Sequence, residues 1–211
     1  MRRFDPGYVQ LRDTLTVGRV GAALLLHCVH RNVAALDGQD ADSAITGSAV
    51  HEIDVTRWLL DEEITEVSVL QPRASGSARG QQDPILLLLR TGSGVLVDVE
   101  VFLNARYGYD VRCELVGETG TVMLDAPPAT SLRSAGQSGR DIPPDWRPRF
   151  ADAYRLELSN WIAAVTAGQP SDAASSWDGY QATAVAEAGL RALRSGTAES
   201  VASRERPAMY R

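Results

Sequence analysis

Ile85-Leu86-Leu87-Leu88-Leu89-Arg90 and, beyond the turn Thr91-Gly92-Ser93-Gly94, Val95-Leu96-Val97-Asp98-Val99-Glu100-Val101 decide the fold. In the second run Val95, Val97, Val99 and Val101 fall on one face, with Asp98 and Glu100 on the other. That alternation belongs to a strand with one face against a core. The glycine-bearing turn is short enough to make the two runs antiparallel neighbours. Outward from this hairpin the pattern continues. Ile64–Leu70, Val111–Val116 and Thr121–Leu124 read as further strands, the last two joined by Gly117-Glu118-Thr119-Gly120. Upstream, Val20 to Val29 carries a nearly continuous apolar run, the expectation for a strand buried on both faces.

Helices flank these strands. Asp5-Pro6 reads as an N-cap and a proline at the first helical position. Ser48 to Leu60 places Val50, Ile53 and Leu60 on one stripe, and Asp61-Glu62-Glu63 suits the turn after it. Phe150–Ala167 and Trp177–Arg194 each end at glycine. Residues 31–45, 75–83 and 126–148 read as loops. The order implies an α+β fold: an open, mainly antiparallel sheet with helices on one face. We expect one domain over residues 1–196 and a flexible or partner-dependent tail over 197–211.

The bulk composition excludes several functions. The 211 residues carry a net charge of −6, and all 21 basic residues are arginine. Without lysine the chain has no Walker A loop and no Schiff-base amine. The acidic balance argues against a nucleic-acid binder. No run approaches the ~18 apolar residues of a membrane span. The start lacks a secretory signal, so a cytoplasmic protein with two reduced thiols, Cys28 and Cys113, is expected. Neither Gly-x-Gly-x-x-Gly nor Gly-x-Ser-x-Gly occurs.

Four constellations could carry chemistry. His51-Glu52-Ile53-Asp54 offers a histidine near a helix start as a general base, with Asp54 in reach; equally, His51 is a packed histidine and Asp54 a partner of Arg57. His27, Cys28, His30, His51, Glu52 and Asp54 lack metal-ligand spacing, since His27 and His30 point to opposite faces of a strand; no metal is expected. His27-Cys28-Val29-His30-Arg31-Asn32 is a polar strand exit that either lines a site or merely ends a strand. Tyr107 and Tyr109, read as sharing one strand face, either offer polar tips suited to hydroxyl-rich ligands or are sheet-surface aromatics.

In order, Met1 to Tyr8, His27 to Asn32, His51-Glu52-Ile53-Asp54-Val55-Thr56-Arg57-Trp58-Leu59, Tyr107 to Asp110 and Glu114 to Gly120 resemble the C-terminal half of inositol 2-dehydrogenases of the Gfo/Idh/MocA family. The resemblance covers roughly residues 1 to 195. It implies a substrate-binding and oligomerising domain whose sheet builds homo-oligomers, with NAD or NADP held by a separate Rossmann half, absent here, and no cofactor for this chain alone. It implies that His51 takes the proton from a polyol or sugar hydroxyl and that Arg2, His30 and Tyr109 bind the polyol. Two departures follow. The family aspartate one helical turn before the histidine is Gly47 here, which should lower the pKa of His51. The family lysine lies in the Rossmann half. The resemblance therefore implies the substrate half of a dehydrogenase, supplied with a Rossmann subunit, or else a non-catalytic polyol-binding or assembly module.

Overall fold

In the computed structural model, which describes residues 1–124, 131–202 and 204–210, the predicted hairpin forms the middle of a seven-stranded sheet. The strands are β1 (Ala23–Arg31), β2 (Ile64–Leu70), β3 (Ile85–Thr91), β4 (Leu96–Phe102), β5 (Asp110–Gly117), β6 (Thr121–Met123) and β9 (Glu199–Ser200). They run in the order β6-β5-β1-β4-β3-β2-β9. Among the described residues only β1 and β4 pair in parallel, with His27 opposite Asp98 and His30 opposite Val101. The other neighbours are antiparallel.

The helices are α1 (Pro6–Thr16), α2 (Ala41–Ser43), α3 (Val50–Leu60), α4 (Trp146–Thr166) and α5 (Ser176–Ser195). Asp5 caps α1 through the Gly7 and Tyr8 amides. Ser175 and Asp178 form a capping box on α5, which stops at Gly196 with φ +70°. Asp61, also left-handed, ends α3, so Glu62 and Glu63 do lie in the turn. The core gathers Leu26 and Cys28 of β1, Leu87 and Leu89 of β3, and Val97, Val99 and Val101 of β4 under Ile53 and Val55 of α3 and Val185 of α5. Cys28 and Cys113 are free, buried, and face each other across β1 and β5 with sulfurs 4.0 Å apart.

Several expectations change. The first strand starts at Ala23 and is not buried on both faces: His27 is exposed and pairs with Asp98. Its apolar run misleads because the sheet is covered on one side only. Residues 31–45 are not all loop. Asp40 and Ser43 make a capping box, α2 follows, and Ala44–Ala49 is π-helical and runs directly into α3. The cap signal Asp40-x-x-Ser43 begins eight residues before the expected helix start at Ser48.

Residues 126–130 of the expected loop lie outside the described residues. Beyond them the chain forms a small hairpin, β7 (Leu132–Ser134) with β8 (Gln137–Gly139), and α4 then begins at Trp146. In α4 only Arg149, Phe150 and Ala153 are buried, and Leu158, Trp161, Ile162 and Val165 stay exposed.

Gly117 closes β5 at a tight crossing. Its amide bonds to Gly120, and the two following amides bond to Ala22 and Val20. A Cβ on Gly117 would come within 2.2 Å of the Val20 carbonyl oxygen. Backbone on both sides cannot yield cheaply, so Gly117→Ala should lower stability by about 2 kcal/mol, read from the urea midpoint.

Candidate active site

Four separate elements converge on one cavity of about 490 Å³. Arg2 comes from a 3-10 turn, His30 from the end of β1, His51 from the first turn of α3, and Tyr109 from the residue before β5. Asn32, Gly47, Ser48 and Trp146 complete much of the wall. The placement follows from the local fold. Strand β1 turns His30 inward on the same face as Cys28 and Leu26. The π-helical stretch carries Gly47 and Ser48 to the cavity just ahead of His51. Helix irregularities of this kind recur at functional sites.

Glu52 organises the interior of the site, although it is fully buried and does not line the cavity. Arg2 donates to it through Nη1 in a buried ion pair, and to the Tyr8 hydroxyl at 3.3 Å. The two Glu52 oxygens lie 3.1 and 3.2 Å from His30 Nδ1. Burial by itself would raise the Glu52 pKa, but Arg2 and His30 overcome it and hold the carboxyl at about 2.

A carboxylate depressed in the folded state binds its proton more readily in the unfolded chain. Its stabilisation is therefore complete above the usual glutamate range and is lost as pH falls from about 4.5 towards 2. Urea unfolding as a function of pH should show this loss, and Glu52→Gln should flatten it.

Four rings follow one another from the cavity into the core, the first two stacked and the others edge-on. His30 and His51 lie nearly parallel with centroids 6.3 Å apart. Tyr109 meets His30 edge-on at 5.7 Å, and Phe150 meets Tyr109 edge-on at 6.2 Å. Burial raises the Tyr109 pKa, so its hydroxyl stays protonated and can donate or accept. His51 stands at the mouth of the cavity, open on one side. The protein packed behind it, and then the charge of Arg2, push its pKa down to about 4. The imidazole is thus neutral at physiological pH, the form that accepts a proton.

Arg2, His30, His51 and Tyr109 are brought together as the sequence reading requires. Other expectations fail. Asp54 pairs with neither His51 nor Arg57. It binds Arg3 with distances of 2.5 and 3.1 Å, while Arg57 is taken by Glu63 and Asp178. Tyr107 and Tyr109 do not share a face. Both precede β5, and Tyr107 turns outward to Arg31 and Asp110 while Tyr109 is buried. The role of Glu52 and the place of Trp146 escaped the sequence reading, whereas Asn32, the end of the polar strand exit, does line the cavity. The signal for Glu52 was a charged residue on the buried side of an apolar stripe. Among the described residues no group of three or more His, Cys, Asp or Glu side chains is arranged to hold a metal ion.

Residues 17–202 match the model of the oxidoreductase family C-terminal alpha/beta domain, Gfo/Idh/MocA. The chain belongs to this family. The Gfo/Idh/MocA match contains His30, Gly47, His51, Glu52 and Tyr109, while Arg2 lies outside it, towards the N-terminus. Inositol 2-dehydrogenase 1 of Saccharopolyspora erythraea is 52% identical over 211 residues, covering 100% of this chain and 62% of the relative. Inositol 2-dehydrogenase of Burkholderia ambifaria is 44% identical over 212 residues, covering 100% and 63%. The structure of Lactobacillus casei myo-inositol dehydrogenase in complex with NAD(H) and myo-inositol superposes with a TM-score of 0.95 at 34% identity. It is matched over 63% of its length and 100% of this chain. The chain thus spans under two thirds of the curated relatives it matches. Among the described residues no helix is long and apolar enough to cross a membrane.

Proposed function

We propose that this chain is the substrate-binding part of an inositol 2-dehydrogenase-like oxidoreductase acting on a polyol or sugar hydroxyl, working in the cytoplasm. The observation that carries the reading is the convergence of Arg2, His30, His51 and Tyr109 on one cavity from four elements. Arginine donors, imidazole acceptors and a phenol together suit a ligand rich in hydroxyls. In this reading His51 is the catalytic base that accepts the hydroxyl proton, and Arg2, His30 and Tyr109 hold the ring. The sequence has no Gly-x-Gly-x-x-Gly for a pyrophosphate, so NAD or NADP would be held by a Rossmann half.

The substrate and assembly domain expected over residues 1–196 runs further, because Glu199–Ser200 pairs with β2 and Val201 is buried; the flexible or partner-dependent tail would begin only after that strand. The outward sheet face, where Leu70, Leu88 and Leu96 stay exposed, would be covered in a homo-oligomer. A monomer in size-exclusion chromatography with light scattering argues against that cover. The second reading, a polyol-binding module without turnover, is favoured by one residue: Gly47 stands at the cavity where the family has its carboxylate.

Calorimetry decides the binding reading. Myo-inositol should bind the chain and should fail to bind Tyr109→Ala. Absence of binding by the unaltered chain to myo-inositol and related sugars defeats it. Mixing with a separately expressed Rossmann half and NAD then separates the two readings, since turnover supports the split enzyme and binding without turnover the module.

A further inference from the structure

We propose that Glu52 is a positioning residue of the cavity, fixing His30 with its proton on Nδ1 so that Nε2 presents a lone pair to a substrate hydroxyl. The proposal rests on the polyol reading above for the identity of the ligand, but the proton on Nδ1 follows from the geometry alone.

His30 Nδ1 has two neighbours with opposite demands. Arg2 Nη2 lies 3.2 Å away and can only donate. Glu52, ionised, can only accept, and both of its oxygens lie within 3.2 Å. One ring nitrogen cannot satisfy both. Arg2 already has acceptors in Glu52 and the Tyr8 hydroxyl, so it gains little from a bare Nδ1. A carboxylate facing a lone pair at this distance in a buried site would be strongly unfavourable. The proton therefore sits on Nδ1. Nε2 makes no hydrogen bond among the described residues, and His30 lines the cavity.

The consequence is a division of labour between the stacked imidazoles. His30 is the carboxylate-backed histidine, the arrangement that fixes ring orientation and tautomer in histidine bases. His51 has no carboxylate partner among the described residues, because Asp54 is bound to Arg3 and position 47 is glycine. Glu52 touches no substrate itself. It acts through His30 and through Arg2, whose guanidinium it holds at the same cavity.

The test reads tautomers by ¹⁵N-edited NMR of the imidazole rings, of which the chain has three. At pH 7.5 without ligand, His30 should show a protonated Nδ1 and an unprotonated Nε2. Glu52→Gln should shift His30 towards the other tautomer and weaken myo-inositol binding about tenfold in calorimetry, the size of one lost oriented hydrogen bond. Glu52→Asp should restore part of both. A wild-type spectrum with the proton on Nε2 overturns the proposal even if no variant folds, and so does an unchanged His30 spectrum in folded Glu52→Gln. A wild type that keeps the proton on Nδ1 yet ignores myo-inositol supports the tautomer assignment and overturns the polyol reading instead.

Discussion

Asp5→Ala loses about 4 kcal/mol of folding stability, the scale for breaking one side of a buried ion pair. Asp5 serves two structures at once. One carboxylate oxygen caps α1 at the Gly7 and Tyr8 amides, at 3.2 and 3.3 Å. The other accepts from Arg149 at 2.6 Å, and both residues are buried. Removing the carboxylate strips the cap, worth about 1 kcal/mol, and leaves Arg149 charged and unpaired in the interior.

The damage should also reach the cavity. The Arg149 guanidinium lies 4.4 Å from the centre of the Phe150 ring, and Phe150 leads through Tyr109 to His30. Denaturant unfolding measures the loss. The double variant Asp5→Ala with Arg149→Met should recover a good part of it, because the uncompensated charge goes too. A single variant within 1 kcal/mol of wild type would mean that solvent reaches Arg149.

The second large effect is on turnover. On the split-enzyme reading proposed above, a Rossmann half, NAD and myo-inositol should give turnover whose kcat His51→Ala lowers by about a thousandfold, the middle of the range for removing a general base. A loss under tenfold would place the base elsewhere. The pH dependence carries the sign. A base with a pKa near 4 is unprotonated throughout the neutral range, so the acid limb of the profile should lie below pH 5. Gly47→Asp should move that limb upward, by about one pH unit, because a nearby carboxylate favours the imidazolium. Position 47 has room for the change: a Cβ there meets nothing within 4 Å. An unmoved limb in a folded Gly47→Asp variant would show that the new carboxylate does not face His51.

Much of the fold was legible in the residues. The valine alternation of Val95 to Val101, the caps at Asp5 and Ser175 and the glycine after α5 each act within a few positions, so local periodicity and backbone chemistry suffice to read them. Family resemblance added the four site residues, and the fold brings all four to one cavity. Errors arose where a distant neighbour decides. The apolar stripe of α4 promised burial, but Leu158 and Trp161 stay more than half exposed. The leucines of β1 suggested two covered faces where the sheet has one. Tyr107 and Tyr109 looked like neighbours on a face because strand alternation was extended past the start of β5.

By itself the sequence determined an α+β chain, a hairpin-centred sheet, and a histidine near the start of a helix with a glycine four residues before it. Only the tertiary structure decided that Arg2, His30 and Glu52 form one buried cluster, that Asp54 belongs to Arg3, and that Asp5 and Arg149 meet across the chain. The reason is physical. Periodicity reports which side of an element faces the core. A buried charge takes the partner that packing delivers to it, and that partner can lie anywhere along the chain.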